Sequence, residues 1–274
     1  MKHHLTLKRT NLTLLGLSLL CAASEAVAQS SFTITTTTAD AFVVTGSASN
    51  PLGSNLTGLN FGGAGTLAIA PASSTKGEFD SVIMFNTAAA VSQFNSTYGA
   101  GNWVVTGLTL SLASNFGVQG AQPNNAVFNT INAGSFGVDW LANDSWVEGT
   151  AGGNGSPGYP NNSAVSFDSI PGLLAPGYDS LGTYAYTPPG NNLYQNYSLQ
   201  LDAGLVSDAT AGGNVSLYFY AADNQVSYLF NARSYASNHP ELTFTVMAVP
   251  EPSTLAMVAC GFAGLVAVRR WKNK

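Results

Sequence analysis

The chain has 274 residues, 45% of them hydrophobic and only 8% charged, with a mean hydropathy of +0.14 and a formal charge of −5. Its basic residues cluster at the two ends. Between Gln29 and Val249 there are two, Lys76 and Arg233, against twelve acids, and a body of formal charge −10 repels a phosphate backbone, which excludes nucleic acid as a partner.

The chain opens on a positive segment, Lys2 to Arg9, followed by an apolar stretch from Leu12 to Ala23 and by Ala26-Val27-Ala28. That order is a secretory leader, so residues 1–28 are expected to be a signal peptide in a helix, cut by signal peptidase between Ala28 and Gln29. Both cysteines, Cys21 and Cys260, lie in the terminal segments, so no disulfide framework holds the body.

The body, residues 29–248, is large enough for one substantial core. Thr, Ser, Asn, Gly, Val, Phe and Tyr dominate it, and its apolar positions alternate more often than they recur at helical spacing. Phe32 to Thr38 and Ala41 to Thr45 read as a first strand pair, and Gly46 to Gly65 as turns. Thr66 to Ala70 and Phe79 to Asn86 follow, the second a nearly all-apolar run of the kind that is buried on both faces. Ala88 to Tyr98 is one short helix or a long loop. Val104 to Leu112 has a clean period of two, with Val104, Thr106, Leu108, Leu110 and Leu112 on one face. Residues 113–192 are looser, with short strands at Phe136 to Trp140 and Ser145 to Val147 and a Gly-rich loop at 149–162. Alternation returns at Tyr197 to Leu201, Val215 to Tyr220, Val226 to Phe230 and Leu242 to Val246, with a turn at Ala222-Asp223-Asn224. The fold class is therefore all-β, a jelly-roll-like antiparallel β-sandwich.

Five elements in this body resemble the DNRLRE-type domain. They are Asp40-Ala41-Phe42-Val43-Val44, Lys76 to Phe85, Val105 to Leu112, Trp146-Val147-Glu148-Gly149-Thr150, and Phe230 to Ser234 leading to Pro240-Glu241-Leu242-Thr243-Phe244. The resemblance implies a secreted β-sandwich shared with some carbohydrate-binding modules.

The body offers little for catalysis. His239 is its one histidine and precedes Pro240, so zinc held by His and Cys is unavailable and a Ser-His-Asp triad has no supporting motif. Paired carboxylates, with Asp144 and Glu148 as candidates, are the remaining route to a polysaccharide-degrading enzyme, which stands as the alternative. The preferred reading is not an enzyme. Trp140, Trp146 and Tyr178 beside Asp144 and Glu148 are the candidate ligand-binding residues, because flat rings stack on sugar CH patches while carboxylates accept from hydroxyls. No cofactor or metal site is assigned. An oxygen cluster at Asp139, Asn143 and Asp144 is the one place where calcium is considered. Arg233 is expected to pair with Glu78 or Asp80.

The tail, residues 249–274, has three parts: Pro250-Glu251-Pro252, an uncharged run from Ser253 to Val268, and Arg269-Arg270-Trp271-Lys272-Asn273-Lys274. The run of 16 residues is about 24 Å as a helix, short of a ~30 Å hydrocarbon core, and is expected to span the membrane with its basic end cytoplasmic. This order resembles the PEP-CTERM sorting tail of Gram-negative bacteria, which an integral-membrane exosortase recognises. The resemblance implies export across the inner membrane to the cell envelope, surface or extracellular matrix. The expected function is a structural or adhesive envelope or biofilm protein with weak contact to extracellular polysaccharide.

Overall fold

The structure is a computed structural model that describes residues 28–115, 128, 134–150, 164–186, 190–249, 261–262, 264–266 and 268–272. It divides into two units, Gln29–Met247 and a terminal unit of Met1–Ala28 with Ala248–Lys274.

The larger unit is mostly β and its sheets are antiparallel. Twelve strands are described: β1 (Gln29–Ile34), β2 (Ala39–Val44), β3 (Phe61–Gly62), β4 (Thr66–Ile69), β5 (Phe79–Asn86), β6 (Trp103–Ala113), β7 (Ser135–Leu141), β8 (Tyr178–Ala185), β9 (Tyr194–Leu199), β10 (Asn214–Ala221), β11 (Tyr228–Asn231) and β12 (Glu241–Ala248). A first sheet has the order β1-β12-β6-β9 and a second the order β3-β2-β5-β10-β7-β8. A ribbon of β4 and β11 joins them at one end, through the bridges Ala70↔Phe79 to β5 and Ser114↔Phe230 to the end of β6.

One core lies between the two sheets. Leu108, Leu110 and Leu112 of β6 and Leu242, Phe244 and Val246 of β12 pack with Ile83 and Phe85 of β5, Leu217 and Phe219 of β10, and Phe136 and Val138 of β7. The period of two read in Val104 to Leu112 holds only from Leu108 onward: Leu108, Leu110 and Leu112 turn inward, but Val104 and Thr106, read on the same face, are exposed, and Trp103 and Val105 pack against the core in their place.

Phe32 to Thr38 and Ala41 to Thr45 do not form a strand pair. The threonines at 35–38 carry the chain from one sheet to the other, so β1 pairs with β12 and β2 pairs with β5 and β3. A continuous β-branched run hides that crossing, because propensity is the same on both sides of it.

Three α-helices are found among the described residues of this unit. Ala88–Tyr98 is a helix, α1, which buries Ala90 and Phe94, the latter 5.1 Å from the Trp103 ring and 6.4 Å from Phe32. α2 (Ile170–Leu174) is a single turn that buries Ile170 and Leu173. α3 (Ala203–Ala211) starts at Asp202, whose carboxylate accepts from Gly204 N at 2.6 Å, and stops at Gly212, whose φ of +78° suits glycine. The Ser145 to Val147 stretch makes only an isolated parallel bridge, Val147↔Ala164.

The expected signal helix lies outside the described residues. Of the expected membrane helix over 253–268, the described residues 261–262, 264–266 and 268 are helical, as are 269–272. Among the described residues no helix is long and apolar enough to cross a membrane.

Candidate functional site

The two sheets treat their outer faces differently, and the polar chemistry of the body sits on the second. Strands β2, β5, β7 and β10 are buried on both sides. Val43, Val82, Met84, Leu141 and Tyr218 turn away from the main core and are covered by Trp146, Val165, Ile170 and Leu173, carried on the chain between β7 and β8. Val165 N donates to Val147 O at 2.9 Å and holds that cover closed on itself.

The alternation that buries Val82 also buries Asp80, two residues earlier on β5, to 2% exposure. Tyr218 OH donates to Asp80 Oδ2 at 2.6 Å. Burial pushes the Asp80 carboxyl up to about 7, the tyrosine bond opposes the shift, and the charge of Glu78 adds to it. Tyr218 stacks on Tyr220 at 5.5 Å, and Tyr220 OH reaches Asp139 Oδ1 at 3.5 Å. Burial raises Asp139 too, against hydrogen bonds from Ser180 and Tyr220. The Tyr220 ring lies across Gly137 on the neighbouring strand, where any Cβ would overlap it.

The five candidate ligand-binding residues are not gathered into one cleft. Trp146 is 7% exposed and its Nε1 donates to Ser216 Oγ at 2.9 Å. The same serine bonds Asp144, whose carboxyl is raised by burial, with the charge of Asp208 adding to the effect. Trp140 is 9% exposed, donates to Asp208 Oδ2 at 2.8 Å and packs its ring against Gly204 of α3. Both tryptophans are thus core residues with satisfied N–H groups and offer no face to a sugar ring. Tyr178, on the edge strand β8, is 54% exposed, and Asp179 and Ser180 follow it on that strand. Asp179 also shares a hydrogen bond with the carboxyl of Asp202.

Glu148 leaves this group. It accepts from Arg233 Nη2, and Arg233 N donates to Asp40 Oδ2 at 2.6 Å. Arg233 therefore pairs with Glu148, not with Glu78 or Asp80. Asp80 is engaged by Tyr218 on the outer face of the second sheet, out of the arginine's network. Burial pushes Asp40 up to about 6, the Arg233 N–H opposes the shift, and the charge of Glu148 adds to it. Asp144 and Glu148 thus take different partners, Ser216 of β10 and Arg233 of the loop after β11.

The proposed calcium cluster is also divided. Asn143 Oδ1 accepts from Ser145 N and Oγ at 2.9 and 2.7 Å, while Asp139 and Asp144 face Tyr220 and Ser216. Among the described residues no group of three His, Cys, Asp or Glu is placed to hold a metal ion. His239 Nε2 meets Tyr235 O at 2.8 Å, a turn contact. Sequence reasoning named Asp80 only as a partner for Arg233 and missed Tyr218 and Tyr220. Their signal is the spacing of two in Ser216-Leu217-Tyr218-Phe219-Tyr220 and an acid inside the run Phe79-Asp80-Ser81-Val82.

The body ends where β12 ends. Ala248 N donates to Ala28 O at 3.1 Å, and Val249 alone separates the strand from Pro250. Residues 248–270 match the PEP-CTERM protein-sorting motif. The match contains Pro250, Glu251, Pro252, Arg269 and Arg270, of which the two arginines are helical and exposed while residues 250–252 lie outside the described ones. A PEP-CTERM tail marks the chain as a protein processed by exosortase and exported to the cell envelope or surface. No curated protein matches the chain.

Proposed function

We propose that this is a secreted structural or adhesive protein of the extracellular matrix or biofilm. In this reading a leader is removed by signal peptidase between Ala28 and Gln29, and the body is a jelly-roll-like sandwich related to the DNRLRE-type domain that makes weak contact with polysaccharide. The sorting tail carries the reading, since it directs the body to the outside of the cell. The engagement of Asp144 and Glu148 by Ser216 and Arg233 favours a non-catalytic role, because a glycosidase needs two carboxyls facing one bond. Tyr178 with Asp179 and Ser180 is the exposed aromatic patch at which a sugar ring would stack. The exported protein, applied to a glycan array, is expected to be retained without releasing reducing ends, and Tyr178→Ala to weaken retention roughly five- to tenfold, about 1 kcal/mol. Release of reducing ends would replace this reading with the polysaccharide-degrading one.

A further inference from the structure

The ends of the two sheets are not equally protected. β3 closes one end of the second sheet with only two residues, and the Glu148 backbone packs on its Gly62. β8 and β9, at the far ends of their sheets, are tied to each other. Gln200 N donates to Leu181 O at 2.9 Å, Tyr184 OH to Ser198 O at 2.9 Å, and Gln195 Nε2 to Ala185 O at 3.4 Å. β1 is different, for among the described residues it pairs with β12 on one side and with no strand on the other.

The phase of its ladder fixes which groups face outward. Ala248 N bonds Ala28 O, and antiparallel pairs exchange hydrogen bonds at every second residue. With the register Ser30↔Val246, Phe32↔Phe244 and Ile34↔Leu242, those three residues bond β12, and the N–H and C=O groups of Gln29, Ser31 and Thr33 point away. Natural edges are blunted by charge, proline, a bulge or shortness. β1 has none of these: it is six residues long with an unbroken register, and residues 29–38 contain no charged residue, no Pro and no Gly. By contrast β8 carries Asp179, Gly182 and a register shift opposite Val138/Asp139.

We propose that β1 is a homotypic docking edge: two copies pair β1 to β1, antiparallel about a two-fold axis at Ser31, so that their four-stranded sheets become one continuous sheet. The chemistry selects a second copy. Around that axis Ser31 meets Ser31 and Gln29 meets Thr33, so the outward backbone groups bond each other and no like charges oppose. Hydroxyl pairs across strands add to the ladder, as Thr33 Oγ1 and Thr243 Oγ1 already do at 2.8 Å between β1 and β12. In a body of charge −10 this edge carries no charged side chain, so two copies approach there with little repulsion. The inference stands apart from the glycan reading, since it uses no residue of the Tyr178 patch.

The test uses the exported protein, beginning at Gln29 and purified in mild detergent, with Cys260→Ser. Ser31→Cys in that background is expected to form disulfide-linked dimers under mild oxidation, and Thr106→Cys, exposed on β6, to stay monomeric. Ser31→Pro removes an outward N–H while sparing the bonds to β12. It should weaken self-association measured by sedimentation at least about tenfold, with the melting temperature unchanged. Should Ser31→Pro lower the melting temperature, Ser31→Lys, which sets two ammonium groups face to face, decides in its place. Equal cross-linking at positions 31 and 106, or self-association unaffected by the deciding variant, overturns the proposal.

Discussion

The two sheets are built from similar residues and buried differently. In the first, β12 alternates between half-buried and buried from Glu241 to Val246, β9 buries only Tyr197 and Leu199, and β1 has no fully buried residue. In the second, β2, β5, β7 and β10 are buried along nearly their whole length, because the chain after β7 folds back over the outer face. An open face tolerates any polar residue, whereas a covered one forces each polar group to find a partner. Asp80 with Tyr218, Asp139 with Tyr220 and Ser216 with Trp146 are those partnerships. The cover converts acids that would otherwise be surface groups into raised, buried carboxyls, and in doing so it removes Trp146 and Asp144 from any ligand.

The difference can be broken most severely at the cover. Trp146→Ala is expected to destabilise the body by about 3–5 kcal/mol, through lost burial and the lost hydrogen bond to Ser216, whereas Thr106→Ala on the open side, which loses only an exposed bond to Thr245 O, should cost no more than about 1 kcal/mol. Urea unfolding of both variants checks this, and equal midpoints would mean that the cover contributes no more than a surface loop. A smaller effect is expected inside the network. Tyr218→Phe deletes the donor to Asp80 and should cost about 1–3 kcal/mol, in chemical denaturation at neutral pH.

The mildest change is the most specific to the covered face. Asp80 is raised from 3.8 to about 7, so its contribution to stability is fully present below about pH 4 and is lost as the pH rises through 7. Asp40, raised to about 6, acts in the same direction. Asp80→Asn keeps an acceptor for Tyr218 and removes the titration. It should flatten the decline of stability between pH 4 and 7 and stabilise the body at pH 8 by on the order of 1 kcal/mol. An unchanged pH profile would show that Asp80 is not held neutral by the fold.

What the sequence made legible follows the same division. β6 was readable because one of its faces meets the core and the other meets solvent, which writes a period of two into Leu108, Leu110 and Leu112. β5 was readable as a buried run, although the run does not say that Asp80 needs Tyr218, a partner on β10. β8 escaped notice because it is mostly exposed and contains Gly182. α3 was missed despite Asp202 at its start and Gly212 after its end, since its only buried residues, Leu205 and Ala209, make one helical step too short to register as a period. The partner of Arg233 was missed because the ion pair spans two distant loops, a distance that local pattern does not reach. The tail was readable because its signal is linear and does not depend on packing.

The central claim is that this body is carried out of the cell by its tail. Replacing Pro250, Glu251 and Pro252 with alanine in cells that make exosortase, and following the protein by fractionation and intact mass, tests it most directly. The account predicts that the unaltered chain reaches the envelope or surface beginning at Gln29 and lacking its C-terminal segment, while the variant stays in the inner membrane with its tail intact. Unaltered and variant chains arriving at the surface together, with tails of equal length, would contradict it.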